Sequence, residues 1–366
     1  MSPDPVPTPE EQEPGVSAIL ETSTSSPMQR FVRIGLTLVI LYLIFGVMIP
    51  SFASYAEIWD AITALTATEL IVMALLTLVI EACSSGAFAM IVVPLGLWDA
   101  FLAQENSTLV SNTVPGPSGT AARYVSFKKF GISNEDFAQS YVVNNAWSNG
   151  LRLVLPAVGV LLLATQKNVP TPVWILSGIG LAVSTTLIFL AVRVMRSESF
   201  AYRLGERLGR FLNWARGVVR RPSGEPLGDT FVKWRFDVLE TVQRVWARLT
   251  GLLLLRELVS FVALLLSLRY LGVGPNVLTA IEIFAVYTVV RLATWVKITP
   301  GNVGITEAMY IGALTWAADD RSTDAIVAAV FVFRMFTYLG PIILGGIATM
   351  ILSRRFGSTP ADVPAS

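Results

Sequence analysis

Apolar runs long enough to cross the ~30 Å hydrocarbon core of a bilayer as helix, about 20 residues each, recur along the whole chain. Residues 31–50 form the first. Residues 69–93 form the second, interrupted by Glu81 and by Ser84-Ser85-Gly86. Residues 97–114 are a weaker run, carrying Asp99, Gln104 and Glu105, and they end in the helix-breaking stretch from Thr113 to Arg123, Thr-Val-Pro-Gly-Pro-Ser-Gly-Thr-Ala-Ala-Arg. Residues 140–165 form a run with Asn144, Asn145, Asn149 and Arg152 inside it, and residues 173–194 are plainly apolar. The pattern resumes at 250–271, with Arg256 and Glu257 near its start, and at 277–298, which holds Glu282, Arg291 and Lys297. A short run at 304–318 and a last one at 324–352, with Arg334 inside, complete it. Lipid cannot hydrogen-bond an open backbone, so irregular chain at membrane depth survives only against protein or a wet cavity. The Pro-Gly-x-x-Gly skeleton of Pro115, Gly116 and Gly119 returns at Pro300, Gly301 and Gly304. Both copies are therefore candidate structural motifs of a site.

Composition agrees with this pattern. Hydrophobic residues make up 53% of the 366 and charged residues 14%, against about 25% charged in a soluble domain. Mean hydropathy is +0.62. The fold class expected is an all-α polytopic membrane protein. The first 27 residues are polar, acidic and rich in proline, the reverse of a cleavable signal peptide. With one cysteine, Cys83, there is no disulfide within the chain and no Cys-based metal site. With no histidine, His-centred hydrolase triads and His-ligated zinc are excluded. No cofactor, metal or nucleic-acid partner is expected.

Charge sets the orientation. Residues 193–248 hold eleven Arg and one Lys, which places that loop in the cytoplasm. Arg30, Arg33, Arg354 and Arg355 place both termini there too, in the plasma (inner) membrane, whereas 51–68 hold no Lys or Arg and fit outside. If 97–114 crossed fully, Arg123, Lys128 and Lys129 would lie outside and the Arg-rich loop would follow them. A re-entrant hairpin over 97–121, entering and leaving on the cytoplasmic side, restores the rule. By the same parity, 277–318 starts and ends outside. The expectation is about six full spans plus two re-entrant helical hairpins. Each hairpin carries one Pro-Gly-x-x-Gly. Each is followed by a polar turn (Ser133-Asn134-Glu135-Asp136; Arg321-Ser322-Thr323-Asp324) and then by a span with an internal arginine, Arg152 or Arg334, 37 and 34 residues after the motif proline. Opposite orientation makes this an inverted repeat, a plan common in transporters. The competing reading is two ordinary spans at 277–298 and 304–318.

The division expected is a cytoplasmic tail over 1–29, a membrane domain over 30–353 and a second tail over 354–366. The membrane domain divides into halves at 30–166 and 172–353, with a cytoplasmic loop at 196–249. In that loop Phe200, Leu204, Leu208, Phe211 and Leu212 recur at helical spacing opposite Arg203, Arg207 and Arg210. After a turn at 222–226, Trp234, Val238, Val242, Val245, Trp246 and Leu249 do the same. Two amphipathic helices follow, either lying on anionic lipid or packing on the spans.

The pattern P-G-x-x-G-x-x-x-R, a basic turn and G-I-S matches Pro115, Gly116, Gly119, Arg123 and Gly131-Ile132-Ser133. P-G-x-x-G-x-x-E-A matches Pro300, Gly301, Gly304, Glu307 and Ala308. Together, in this order and span pattern, they make residues 30–352 resemble the transmembrane flippase domain of bacterial lysylphosphatidylglycerol synthases and its stand-alone relatives. The resemblance implies re-entrant helices and a domain that moves lipid between leaflets. It also implies no covalent chemistry, since the synthases carry their catalytic domain separately. Thr306 stands where relatives often have a basic residue, and Asn144-Asn145 stand where they have an arginine.

Arginine presents a planar fork suited to a phosphate, and an ionised group at the bilayer centre costs ~2.5–3.5 kcal/mol, so it needs a role. The candidate substrate-binding residues are Arg123, Asn145, Asn149, Arg152, Arg291, Glu307 and Arg334. Arg152 and Arg334 either meet a ligand or pair with Glu81 and Glu307, and Arg256 reads as a snorkelling interfacial residue. The leading reading is a flippase-like transporter of an anionic or aminoacylated phospholipid, or another lipid-linked headgroup, through an arginine-lined cleft, and not an enzyme. Two others stand beside it. One is a non-transporting subunit that docks a cytoplasmic partner, such as a lipid-modifying enzyme, through 196–249. The other is a membrane lipid transferase using Glu81 or Glu307 as base. The sequence leaves the lipid, the energy source and the oligomeric state open.

Overall fold

The computed structural model describes residues 60, 63–114, 117–166, 171–218, 228–294, 299–319 and 321–357. The first expected span, 31–50, the tail over 1–29, residues 358–366 of the second tail, the Pro115-Gly116 pair and Lys297 lie outside the described residues, while 354–356 of that second tail continue the last helix. Every regular element among those residues is helical: α1 Ala67–Ile91, α2 Leu97–Thr113, α3 Ser118–Lys129, α4 Asn134–Ala164, α5 Thr171–Arg196, α6 Glu198–Val218, α7 Gly228–Tyr270, α8 Ala280–Ala293, α9 Ile305–Ala317, α10 Thr323–Arg334 and α11 Gly340–Phe356. A 3-10 turn at Pro300–Asn302 precedes α9, and one π turn, Met335–Leu339, joins α10 to α11.

Local chemistry explains the helix starts. Thr66 caps α1 and receives Glu69 in return, with the Thr66 N–H donating to Glu69 Oε2 at 2.7 Å. Thr279 and Glu282 repeat the device at α8, at 2.7 Å. Glu282, counted from the sequence among the intramembrane charges, is thus a helix cap. Ser133 caps α4 through the Asp136 N–H, so the polar turn of the sequence is a helix start.

Four helical stretches among the described residues are long and apolar enough to cross a membrane: Ala67–Ile91, Asn134–Ala164, Val238–Tyr270 and Thr323–Phe356. The helices at the places of the expected hairpin arms are shorter. α2, α3, α8 and α9 have 17, 12, 14 and 13 residues, or about 18–26 Å at 1.5 Å per residue. α7 differs from the expectation of a separate amphipathic helix ahead of the span. It runs unbroken for 43 residues, because 229–270 offers no proline and a single glycine, Gly251, to stop it. Its Val238, Val245 and Leu249 are buried against Ala87, Phe88, Phe127 and Phe137. This part of 196–249 therefore packs on the spans.

α1 and α7 lie side by side at the centre, α2 packs on α11, and α8 packs on α4. Two of these crossings are glycine-close. A Cβ on Gly159 of α4 would meet Thr288 Oγ1 at 2.7 Å and Ala285 Cα at 3.1 Å of α8. A Cβ on Gly345 of α11 would meet Leu109 Cβ at 2.5 Å and the Glu105 carbonyl at 2.6 Å of α2. Small residues let membrane helices approach this far. One apolar cluster gathers Met73, Leu264, Ile283, Tyr310, Leu314 and Val330. The other gathers Ala87, Phe88, Phe127, Phe137, Leu249 and Leu253. Between these clusters α1 buries Thr77, Glu81 and Ser85, and α7 buries Arg256, Glu257 and Ser260.

Candidate functional site

Between the two apolar clusters the helices enclose a polar cavity of about 300 Å³. Each wall is a stripe at helical spacing. α1 gives Thr77, Glu81 and Ser84; α2 gives Gln104, Thr108 and Asn112; α7 gives Arg256 and Ser260; α8 gives Tyr287, Arg291 and Thr294. α4 contributes Arg152, and the last span contributes Arg334, Thr337 and Tyr338. The π turn over Met335–Leu339 carries the last two. Such a widened turn leaves backbone groups to be satisfied from outside and is common at functional sites. Here the Thr77 hydroxyl donates to the Phe336 carbonyl at 3.3 Å.

α2 and the 3-10 turn before α9 both reach the cavity. Gly301 lines it, and a Cβ there would run into the Tyr338 ring and come within 3.2 Å of Asn112 Oδ1. The Tyr338 hydroxyl donates to the Asn112 carbonyl at 3.0 Å. The end of α2 and the 3-10 turn before α9 are thus tied through one tyrosine. Gly301 and Gly304 have φ of 59° and 85°, a region glycine occupies without the Cβ penalty. Gly119 serves close packing: its carbonyl accepts from Ser107 Oγ at 2.7 Å, and a Cβ on it would sit 2.5 Å from Ser111 Cβ. The Pro300 backbone opens the 3-10 turn.

Two carboxylates hold three of the arginines. Glu257, 3% exposed, accepts from Arg256 Nη2 at 2.7 Å, from Arg291 Nε at 3.2 Å and Nη2 at 3.0 Å, and from the Tyr287 hydroxyl at 2.8 Å. Glu307 accepts from Arg334 Nε at 2.5 Å and, through Oε2, from the Gly304 N–H at 2.6 Å. Arg334 Nη2 also donates to the Gly301 carbonyl at 3.2 Å. The second motif's Glu307 therefore closes the start of α9 and aims Arg334 at once.

Arg152 is different. Among the described residues it has no ion pair, its Nε is buried without a partner, and its charged neighbours are Arg291, Arg256 and Glu257. The expected alternative of an Arg152–Glu81 pair is not formed. Counting formal charges, four arginines and Glu81 line the cavity and two further carboxylates, Glu257 and Glu307, are paired with three of the arginines, which leaves an excess of one positive charge that attracts anions.

Of the sequence candidates, Arg152, Arg291 and Arg334 meet in this cavity, with Glu307 directly behind Arg334. Arg123 stands behind Gln104. It donates to Gln104 Oε1 at 2.7 Å and lies over the Phe88 ring at 4.3 Å, outside the cavity wall. Asn145 donates to the Tyr141 carbonyl at 2.7 Å, and Asn149 is half-buried on α4; neither is part of the wall. Arg256 corrects the snorkelling expectation: it is 9% exposed and lines the cavity, because Glu257 and the cavity supply what the membrane interface was expected to supply. The sequence reasoning missed Gln104, Thr108 and Asn112, and also the role of Glu257. Their signals are an i, i+4, i+8 polar stripe on an otherwise weak span and an adjacent Arg-Glu pair in an apolar run.

The described residues hold no group of acidic, histidine or cysteine side chains arranged to bind a metal. The fold and its enclosed polar cavity define a multi-pass, all-helical membrane protein. The sequence profile of the lysylphosphatidylglycerol synthase transmembrane region matches residues 31–345, and the chain belongs to that family. No curated protein and no solved structure matches the chain.

Proposed function

We propose that the protein is a lipid flippase: it admits the phosphate-bearing headgroup of an anionic or aminoacylated phospholipid into the arginine-lined cavity and passes it between leaflets of the plasma membrane without covalent chemistry. The observation that carries this reading is the unpaired Arg152 beside Arg256, Arg291 and Arg334 in an enclosed polar space. An unpaired cation within a membrane protein's interior is costly. A phosphate that accepts its hydrogen bonds offsets that cost.

The same reading takes α2–α3 and α8–α9 as re-entrant hairpins from opposite faces, between about six full spans, with both termini cytoplasmic. Three features support it. The arms are shorter than the ~30 Å hydrocarbon core. The packing is reciprocal: the first arm of each hairpin lies on the last span of the other half, α2 on α11 and α8 on α4. The glycines at these two crossings, Gly159 and Gly345, stand 44 and 45 residues after Pro115 and Pro300. Reciprocal packing about the α1–α7 pair is what an inverted repeat produces.

The test is translocation of fluorescent phospholipids in vesicles reconstituted with purified protein, read by quenching from outside. Arg152→Ala and Arg334→Ala should each abolish movement of the anionic lipid while the proteins remain folded. Unchanged movement in both would remove the cavity from the function.

A further inference from the structure

Behind the arginine-lined wall lies a second constellation. Glu105 on α2 is fully buried, 0% exposed. Among the described residues no donor reaches either of its carboxyl oxygens. What lies beside it is another acid, Glu81. Glu81, on α1, is itself 8% exposed and lines the cavity. The charged and titratable groups that face the pair are Arg256 from α7 and Arg123 from α3, with Tyr141 of α4 beside Arg123. α11 presents Gly345 where it crosses α2 at Glu105. Arg123 donates to Gln104 rather than to either carboxylate.

Two buried carboxylates side by side repel unless a proton lies between them, and the pair then titrates as a unit. A metal ion is a poor substitute here. Hard cations take six or more oxygen ligands, and among the described residues no third acidic, histidine or cysteine side chain joins this pair. Resting on the flippase reading, we propose that Glu81 and Glu105 form a proton-binding site coupled to occupancy of the cavity: the pair holds one proton when the cavity is empty and takes up a second when an anionic headgroup enters beside Glu81. The second proton comes from bulk water and forms one O–H bond on the pair. The phosphate diester keeps its charge, and the pair passes from a net charge of minus one to neutral. The added negative charge of the headgroup drives the uptake, and its departure drives the release. A pH difference across the membrane would then act on the direction of transport.

Calorimetric titration of the detergent-solubilised full chain with short-chain phosphatidylglycerol tests this. It is run in two buffers of different ionisation enthalpy at the same pH. The wild type should show heats that differ between buffers by an amount equivalent to uptake of a substantial fraction of one proton per bound lipid. Glu105→Gln should bind with equal heats in both buffers. A wild type that binds with buffer-independent heat overturns the coupling and leaves the flippase reading standing. A wild type that fails to bind the lipid overturns both. If Glu105→Gln does not fold, infrared difference spectra of the wild type with and without the lipid replace it. A protonated-carboxyl C=O band that grows on binding supports the proposal, and an unchanged carboxyl region refutes it.

Discussion

Glu257→Gln is the perturbation that the cavity geometry makes most consequential. The substitution keeps the side chain's shape and removes its charge. Glu257 is 3% exposed and accepts from three residues, Arg256, Arg291 and Tyr287, at 2.7–3.2 Å. An amide retains one acceptor oxygen and turns an N–H2 donor toward the other donors, so two guanidinium groups lose the carboxylate they share. Breaking a buried ion pair from one side costs about 3–5 kcal/mol. Arg291 has a side chain 33% exposed, and water in the cavity relieves part of that cost. The lower end, about 3 kcal/mol, is therefore expected. The assay is reversible unfolding in mixed micelles with increasing dodecyl sulfate, followed by thiol labelling of the buried Cys83. A double-mutant cycle with Arg291→Gln should return a coupling of about 1–3 kcal/mol. A loss below about 1 kcal/mol, or a coupling indistinguishable from zero, would refute the claim that Glu257 holds the arginine wall in place.

Other expectations follow from single contacts. Gly345→Ala should destabilise by about 1–3 kcal/mol through overpacking against Leu109 and the Glu105 carbonyl; Gly150→Ala, with nothing within 4 Å of its added Cβ, should be neutral or stabilising by about 0.5–1 kcal/mol, as read by the same unfolding curves. Gly304→Ala should cost about 1 kcal/mol or more, because φ there is 85°, and should loosen Arg334 by disturbing the Glu307 cap; a fall in anionic-lipid movement alongside the stability loss checks the second part. A membrane-permeant maleimide should leave Cys83 unmodified in the folded protein and modify it after unfolding, as mass spectrometry would register.

The membrane class was legible at once, because runs of apolar residues have one physical reading at this length. Glu307 and Arg334 stood out for a different reason: a charge inside an apolar run is costly enough to announce itself, and the structure pairs these two. Arg152 was legible too, but its lack of a partner was not, since spacing alone allowed Glu81. Arg256 was misread because position near the end of an apolar run looks interfacial when the helix is in fact 43 residues long. The α2 stripe of Gln104, Thr108 and Asn112 was passed over because its polar residues weakened the run as a span. That weakness reflects one face of α2 turned into the polar cavity. Glu81 and Glu105 are 24 positions apart in the sequence, and only the packing of α2 on α1 brings them together.

The central claim is that a phosphate-bearing headgroup enters the cavity, and the most direct measurement is to trap it there. A photoreactive residue at Thr108, on the cavity wall, is irradiated in native membranes, and the adduct is weighed by mass spectrometry. The account predicts an anionic phospholipid adduct that is lost when Arg152→Ala is added. No lipid adduct, or one that persists undiminished without Arg152, would contradict it.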